Sequence, residues 1–326
     1  MELRVLSLFD GISCGQVALG KLDIRPKVYY ASEIDKNPIK VTQARYPNTI
    51  QVGDATKLKG DYFTDIDLMM GGSPCQGFSV AGKGLDFEDP RSKLFFTFAD
   101  LLEEIKPRYW LLENVKMKQW CQDVISDRLR IQPIEIDSAD FSAQQRKRLY
   151  WTNIPVSSWE KSTAMVEDIL EPEVDSKYLI DPRRAVIILE NEVGRRKIAY
   201  IGSDSQGNRI YGIHGKSVTF CGDSGGLGAK TGLYALPCLT PDRLEKRQNG
   251  RRFKPPQSKF YTLTAQDQHG ILTNHFIRKL TPTECERLQT LPDGYTDVGL
   301  SDNQRYRALG NGWTVDVIAH ILSNIS

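Results

Sequence analysis

The sequence predicts an α/β fold: a doubly wound, mostly parallel sheet interrupted by a smaller, irregular, β-rich domain. Three observations predict it. Over the first third of the 326-residue chain, short apolar runs alternate with amphipathic stretches, the pattern of crossover units feeding a parallel sheet. Across residues 152–277 glycines accumulate and helical periodicity fades. From Arg278 onward, regular amphipathic segments resume, so the chain returns to the body it left.

The elements follow in order. LRVLSLF (3–9) reads as a buried strand, Cys14–Lys21 as a helix and KVYYAS (27–32) as a second strand. A helix is expected over Asn37–Arg45, with Pro38 in its first turn, where a missing N–H costs nothing. IDLMMGG (66–72) is a strand ending in glycines. Ser92–Ile105 places Leu94, Phe95, Phe98, Leu101, Leu102 and Ile105 at helical spacing. RYWLLEN (108–114) is another apolar strand, and TPTECERLQTL and GNGWTVDVIAHILSNI near the end read as helical.

Charge and cysteine usage narrow the class. Forty-three basic residues against 41 acidic ones say little as a total, but residues 181–280 hold 17 basic and eight acidic side chains. A basic segment in a balanced chain is either a solvated face or a footprint for a polyanion. The six cysteines form no C-x-x-C pair, so free thiols and a reducing compartment are expected. No basic-then-apolar leader and no run approaching about 18 apolar residues is visible; the expectation is a soluble, cytoplasmic protein. His214, His269, His275 and His320 show no ligand spacing and read as structural or as facing such a polyanion, with no metal required.

In doubly wound sheets, ligands sit beyond the carboxyl ends of the strands. FDGISCG (9–15) follows the first strand and opens a helix, where glycines admit a ligand and the helix terminus favours electronegative groups. It is not G-x-G-x-x-G, which argues against a dinucleotide-dependent oxidoreductase. Glu33 follows the second strand, where an acid accepts from ribose hydroxyls. Asp54, in VGDA (52–55), is placed to accept from an adenine amino group. Three ordered loops favour an adenosine-containing cofactor. GGSPCQGFS (71–79) then sets Cys75 in a polar, glycine-rich loop, unlike the inert core setting of most free cysteines. The stretch 79–92 reads as a loop able to close over a substrate. LLENV (111–115) ends a strand at Glu113, and QQRKR (144–148) presents Gln144, Arg146 and Arg148 at alternating positions, on one face of an extended segment.

SPCQGFS, ENV, Q-x-R-x-R and GNGWTV, in this order after FDGISCG, resemble the motifs of the cytosine-5 DNA methyltransferases. RKLTPTECERLQTLPDGY (278–295) resembles the block that follows that family's target-recognition region. Ser13 stands at the last glycine of the common F-x-G-x-G, and Trp313 follows Asn311-Gly312; both features resemble the de novo enzymes and their phage-like relatives. The resemblance implies a Rossmann-like, S-adenosylmethionine-dependent catalytic domain over 1–151 plus 278–326, and a target-recognition domain over 152–277. It implies cofactor contacts from Phe9, Asp10, Gly11, Ser13, Cys14, Gly15, Glu33, Ile34, Asp54, Ala55, Pro74, Leu94, Asn311, Gly312 and Trp313.

The chemistry explains these residue types. Carbon 5 of cytosine is a poor nucleophile until a thiolate adds to carbon 6, and Cys75 is assigned that role. Glu113 is expected to share a proton with N3, which burial beneath the base would assist. Arg146 and Arg148 are expected to orient O2 and the site. Reaching the ring inside a duplex requires flipping the nucleotide, at a cost of a few kcal/mol, with the basic domain gripping phosphates through runs such as Arg243–Arg252 and Gln266–His269. S-adenosylhomocysteine is the expected product and double-stranded DNA the expected partner, with transfer RNA the alternative substrate. No membrane partner is expected. A paired restriction enzyme is compatible with the resemblance, and a monomer is the simplest assembly. A non-catalytic relative would lack Cys75 or Glu113, and both are present.

Overall fold

The computed structural model describes residues 2–73, 93–180, 197–200, 209–212, 216–217, 233–237 and 275–325. Its first half runs β1 (Arg4–Leu8), α1 (Cys14–Lys21), β2 (Val28–Ser32), α2 (Lys36–Arg45), β3 (Ile50–Gln51), β4 (Leu68–Gly72), α3 (Lys93–Ile105), β5 (Tyr109–Val115), α4 (Gln119–Leu129), β6 (Ile134–Asp137) and β7 (Lys147–Thr152). These strands form one seven-stranded sheet in the order β3-β2-β1-β4-β5-β7-β6. β1 to β5 are mutually parallel, while β7 runs antiparallel to both β5 and β6. The expected mostly parallel, doubly wound sheet is found. Sequence reading did not single out β3, α4, β6 or the antiparallel course of β7.

Alternation along the strands builds two cores. Leu3, Val5, Tyr29, Ala31, Leu68, Met70 and Leu111 share one with residues of α1 and α8 (Val315–Leu322). Leu6, Leu8, Met69, Trp110, Leu112, Leu149 and Trp151 share the other with α3 and α4. Each fully buried aliphatic side chain contributes about 1.5–3 kcal/mol, so the period-2 pattern fixes which face each strand presents.

The chain continues with α5 (Val166–Ile169), β8 (Leu179–Ile180), β9 (Lys197–Tyr200), β10 (Arg209–Gly212), β11 (Leu233–Pro237), β12 (His275–Arg278), α6 (Pro282–Leu288) and α7 (Asp302–Asn311) before α8. A second sheet, in the order β8-β12-β11-β10-β9, has one parallel pair, β10 with β11. Residues 154–178 do not belong to this sheet: Ile154, Val166, Ile169 and Tyr178 pack into the first core. The return to the body of the first sheet is anchored by buried charges. Arg278 makes a two-pronged contact with Glu284, 2.7 Å on each prong. Glu284 also closes a capping box with Thr281, whose N–H it receives at 2.8 Å. α8 then packs on α1, and Tyr295 donates its hydroxyl to the Ile12 carbonyl at 2.8 Å. No described helix is long and apolar enough to cross a membrane.

Candidate active site

The strand order reverses between β1 and β4, the point at which such sheets open a crevice for ligands. Leu8 pairs with Gly71, and Gly72 pairs with Glu113. The loop after β1, the loop after β4 and the Glu113 carboxylate therefore leave three adjacent strands at one level.

The loop after β1 is curled by three left-handed residues, Phe9 (φ 56°), Gly11 (φ 58°) and Ser13 (φ 56°). For the two that are not glycine this conformation costs about 1–2 kcal/mol each, and a dense hydrogen-bond set offsets it. The Ser13 hydroxyl donates to Asp10 and lies 3.2 Å from both Gln16 Nε2 and Thr42 Oγ1. Tyr29 donates to the other Asp10 oxygen at 2.8 Å. Burial pushes the Asp10 carboxyl up to about 6, against the lowering effect of these hydroxyls. Serine here adopts a glycine's backbone and uses its side chain to lock the turn.

Glu33 completes the loop. Its Oε2 accepts from Gly11 N at 2.9 Å, and its Oε1 accepts from Ile34 N at 2.7 Å and Asp35 N at 2.8 Å. A carboxylate offers about four acceptor positions, so one remains on Oε2 for an incoming hydroxyl. Next to it Ile34 is 76% exposed, an apolar surface suited to a flat heterocycle. The Ser32 hydroxyl donates to the Gly53 carbonyl at 2.6 Å, tying this loop to the next. There Asp54 caps the turn Ala55–Lys57 by accepting from Thr56 N at 3.0 Å and Thr56 Oγ1 at 2.8 Å, which hold its carboxyl below the usual range. Its Oδ2 lies 4.0 Å from Lys57 Nζ. Ala55 is buried, and Leu94 stands half-buried in the first turn of α3.

At the end of β4 space is tight. A methyl group on Gly72 would stand 2.7 Å from Trp313 Nε1 and 3.2 Å from Glu113 Oε2. Trp313 is thus brought from the far end of the chain to the same glycine that Glu113 faces. Glu113 Oε1 in turn pairs with Arg148 Nε at 3.0 Å. The two arginines of QQRKR divide their work. Arg146, 4% exposed, donates to the Gly310 carbonyl at 3.3 Å and the Gly312 carbonyl at 3.1 Å. It holds the turn that carries Gly312 and Trp313, and Arg148 is the one beside Glu113. Asn311 lies exposed at the end of α7.

Sequence reasoning missed Gln289. Its Nε2 donates to the Leu309 carbonyl at 2.8 Å and the Gly312 carbonyl at 3.3 Å, and its Oε1 accepts from Thr314 at 2.9 Å. The hint was its place in RKLTPTECERLQTLPDGY, which gives no clue to a partner 20 residues on.

Gly15 is packed against Met70 and Tyr29, and Cys14 lies beside Gly312, 3.2 Å from where a Cβ would stand. Burial pushes the Cys14 thiol up to about 12, against a hydrogen bond from the Trp313 backbone. Cys121 and Cys285 are also buried, with burial raising both thiols. None of these three suits a nucleophile. Pro74 and Cys75 lie outside the described residues, as do the stretch 79–92, the runs Arg243–Arg252 and Gln266–His269, and His214. His320 packs against Phe141 and Trp159. Among the described residues no three His, Cys, Asp or Glu side chains are grouped to hold a metal.

The seven-stranded sheet and its switch point define the class of Rossmann-like, doubly wound α/β proteins. Two solved structures share the fold: the Entamoeba histolytica methyltransferase EhMeth (TM-score 0.70, 17% identity, 99% of this chain and 97% of that one) and the S. pombe Dnmt2 methyltransferase (TM-score 0.65, 18%, 99% and 97%). The family model described as C-5 cytosine-specific DNA methylase matches residues 3–326, and the chain belongs to that family. It is 28% identical to the orphan methyltransferase M.SPRI of Bacillus phage SPR, over 99% of this chain and 97% of that one. It is 27% identical to the type II methyltransferase M.HhaI of Haemophilus parahaemolyticus, over 99% and 94%.

Proposed function

We propose that the chain methylates carbon 5 of a flipped-out cytosine in a specific duplex DNA sequence, through a covalent bond between Cys75 and carbon 6. The observation that carries this reading is the register Leu8–Gly71 and Gly72–Glu113. It sets the cofactor loop, the loop that leads to Cys75 and Glu113 side by side at the switch point.

S-adenosylmethionine, when bound, supplies an electrophilic methyl group and leaves as S-adenosylhomocysteine. The chain fits it: Glu33 keeps one acceptor position for a ribose hydroxyl, and exposed Ile34 offers an apolar face. Asp54 keeps Oδ2 for an amino group. Phe9, Asp10, Gly11, Ser13, Cys14 and Gly15 are assigned to shape the loop, Ala55 and Leu94 to line it, and Asn311, Gly312 and Trp313 to close it from the other end; Pro74 is assigned to the same site from its motif alone.

The Cys75 thiolate adds to carbon 6, making carbon 5 nucleophilic; once carbon 5 carries the methyl group, loss of its proton to a base and departure of the thiolate from carbon 6 restore the ring. Glu113 holds a proton at N3 through Oε2, because Oε1 is taken by Arg148. Arg148 takes the role of reaching O2 of the same base, supported by its pairing with Glu113, and Arg146 steadies the Gly312–Trp313 turn. The proposed division is 1–151 with 278–326 as the catalytic domain and 152–277 as the target-recognition domain, with 154–178 packed on the former. The basic excess of 181–280 grips duplex phosphates. A DNA substrate sets the place of action inside the cell, at the nucleoid. A paired restriction enzyme is a compatible partner.

Bisulfite sequencing of duplex DNA incubated with enzyme and S-adenosylmethionine tests reaction and target together. Methyl incorporation into transfer RNA, with none into duplex DNA, would transfer the reading to the other nucleic acid. Duplex carrying 5-fluorocytosine is expected to trap wild-type protein covalently and to leave Cys75→Ala unmodified; an adduct with that variant would remove Cys75 from its role.

A further inference from the structure

Gln144 is fully buried, at 0% exposure, yet among the described residues neither its Nε2 nor its Oε1 has a hydrogen-bond partner. A carboxamide out of water with both ends idle is among the costlier things a core can hold. Such groups call for an explanation.

The location supplies one. Gln144 forms an isolated parallel bridge with Ser217: Ser217 N donates to the Ala143 carbonyl at 2.7 Å, and Gln145 N donates to the Ser217 carbonyl at 2.9 Å. The neighbouring Lys216 Nζ donates to the Ser142 carbonyl at 2.9 Å and the Ser162 carbonyl at 3.1 Å. This is where the 152–277 region is fastened to the strand that carries the site's guanidinium groups. Two residues on, Arg146 holds the Gly310 and Gly312 carbonyls; four residues on, Arg148 holds Glu113. DNA that meets both the 152–277 region and Glu113 bears on this fastening from both sides.

We propose that Gln144 is a positioning residue that acts in the DNA-bound state. When the duplex is gripped, the junction of 142–145 with Lys216–Ser217 resettles, and the amide gains peptide hydrogen bonds that fix the Arg146–Arg148 segment against the base. Among the described residues the free protein's amide is idle; the bound protein uses it. A ligand shifts such an equilibrium only through contacts that differ between the two states, and the amide is that difference. The inference rests on the DNA-methylation reading above.

Gln144→Met keeps the length and removes the amide. In DNA-free protein its Tm is expected to rise by about 2 °C or more, since an unpaired polar group leaves the core. S-adenosylmethionine affinity is expected to stay unchanged. The rate of single-turnover methyl transfer at saturating duplex is expected to fall at least about tenfold, and duplex is expected to raise Tm less than in wild type. A merely structural glutamine moves stability and activity in the same direction. A fall in the DNA-free Tm would show the amide already satisfied, for example by buried water, and would overturn the proposal, as would an unaltered transfer rate. Lys216→Met loosens the same junction, so the double variant is expected to lose no more than the worse single one; additive losses would separate the two residues. The Tm arms need no turnover. A wild-type protein that left duplex unmethylated would sink the functional reading, while the thermal data still judged Gln144.

Discussion

Arg148 Nε lies 3.0 Å from Glu113 Oε1, with the two side chains only 13% and 11% exposed. Arg148 is also fixed to its own strand by donating to the Lys147 carbonyl at 2.9 Å. The pair is therefore preset, one carboxylate oxygen committed and the other facing the Gly72–Trp313 corner. Arg148→Met is expected to slow methyl transfer by about 10²-fold or more, the scale of a lost positioned acid–base or charge-stabilising group. Cofactor affinity is expected to hold. Arg148→Lys is expected to recover little, because an ammonium lacks the planar fork. Single-turnover kinetics with labelled methyl donor decide this, and a lysine variant at near wild-type rate would reassign the guanidinium to a structural part.

Arg146 predicts a different signature. Its guanidinium bonds to the Gly310 and Gly312 carbonyls, and Gln289 shares the second of these. Arg146→Lys keeps the charge and loses the fork, so about 1.5–3 kcal/mol of stability is expected to go, the range for hydrogen bonds to charged groups. Because Gly312 and Trp313 stand against Cys14 and Gly72, weaker S-adenosylmethionine binding is expected to accompany it. Denaturant melts and titration calorimetry check both halves. Unchanged cofactor affinity would detach this turn from the cofactor site.

Much of this was legible in the sequence, for physical reasons. Strands β1, β4 and β5 are buried on both faces and β2 is buried on one and half-buried on the other, so each reads as an apolar run bounded by polar residues or glycine. The strand-end positions of Glu33, Asp54 and Glu113 are readable because each follows or closes an apolar run, and a parallel sheet gathers ligands at that end of its strands. α4 escaped because Cys121, Ile125 and Ser126 are its only buried positions, too few for a clear period. β7 escaped because Lys147 and Arg148 open it with charge, and an antiparallel return is invisible to local pattern. The Trp313–Gly72 contact and the Gln289 clamp join distant segments. Spacing within a motif carries no information about either.

Asp10 makes the loop after β1 a pH reporter. Burial raises its carboxyl from an ordinary 3.8 to about 6. The folded state thus holds this proton more tightly than the unfolded chain. The associated stability is complete below pH 3.8 and is lost as pH climbs through about 6, a change of about 3 kcal/mol. Asp10→Asn removes the titration and can still accept from Tyr29. Its stability relative to wild type is therefore expected to rise between pH 4 and pH 7. Urea midpoints across that window test the sign; a difference that stayed flat would mean that Asp10 is not buried as a charge in solution.

The basic excess of residues 181–280 makes the last prediction. On the proposed reading, the cationic excess there (17 against eight, with Arg278 set aside because it is buried against Glu284) is a phosphate grip whose strength comes from released counterions. If it covers about 6–10 phosphates, affinity for duplex is expected to fall by about 10³–10⁵ between 50 and 200 mM salt. Changing Arg251 and Arg252 together to Gln is expected to lower the slope of log affinity against log salt by up to about 2. The transfer rate at saturating duplex is expected to stay as it was, because Glu113, Arg148 and the β1 loop are untouched. Fluorescence-anisotropy titrations across a salt series measure the slope directly. A shallow dependence in wild type would place the grip elsewhere on the chain, and a pair of variants that slowed transfer without altering the slope would move these arginines from holding DNA to positioning the base.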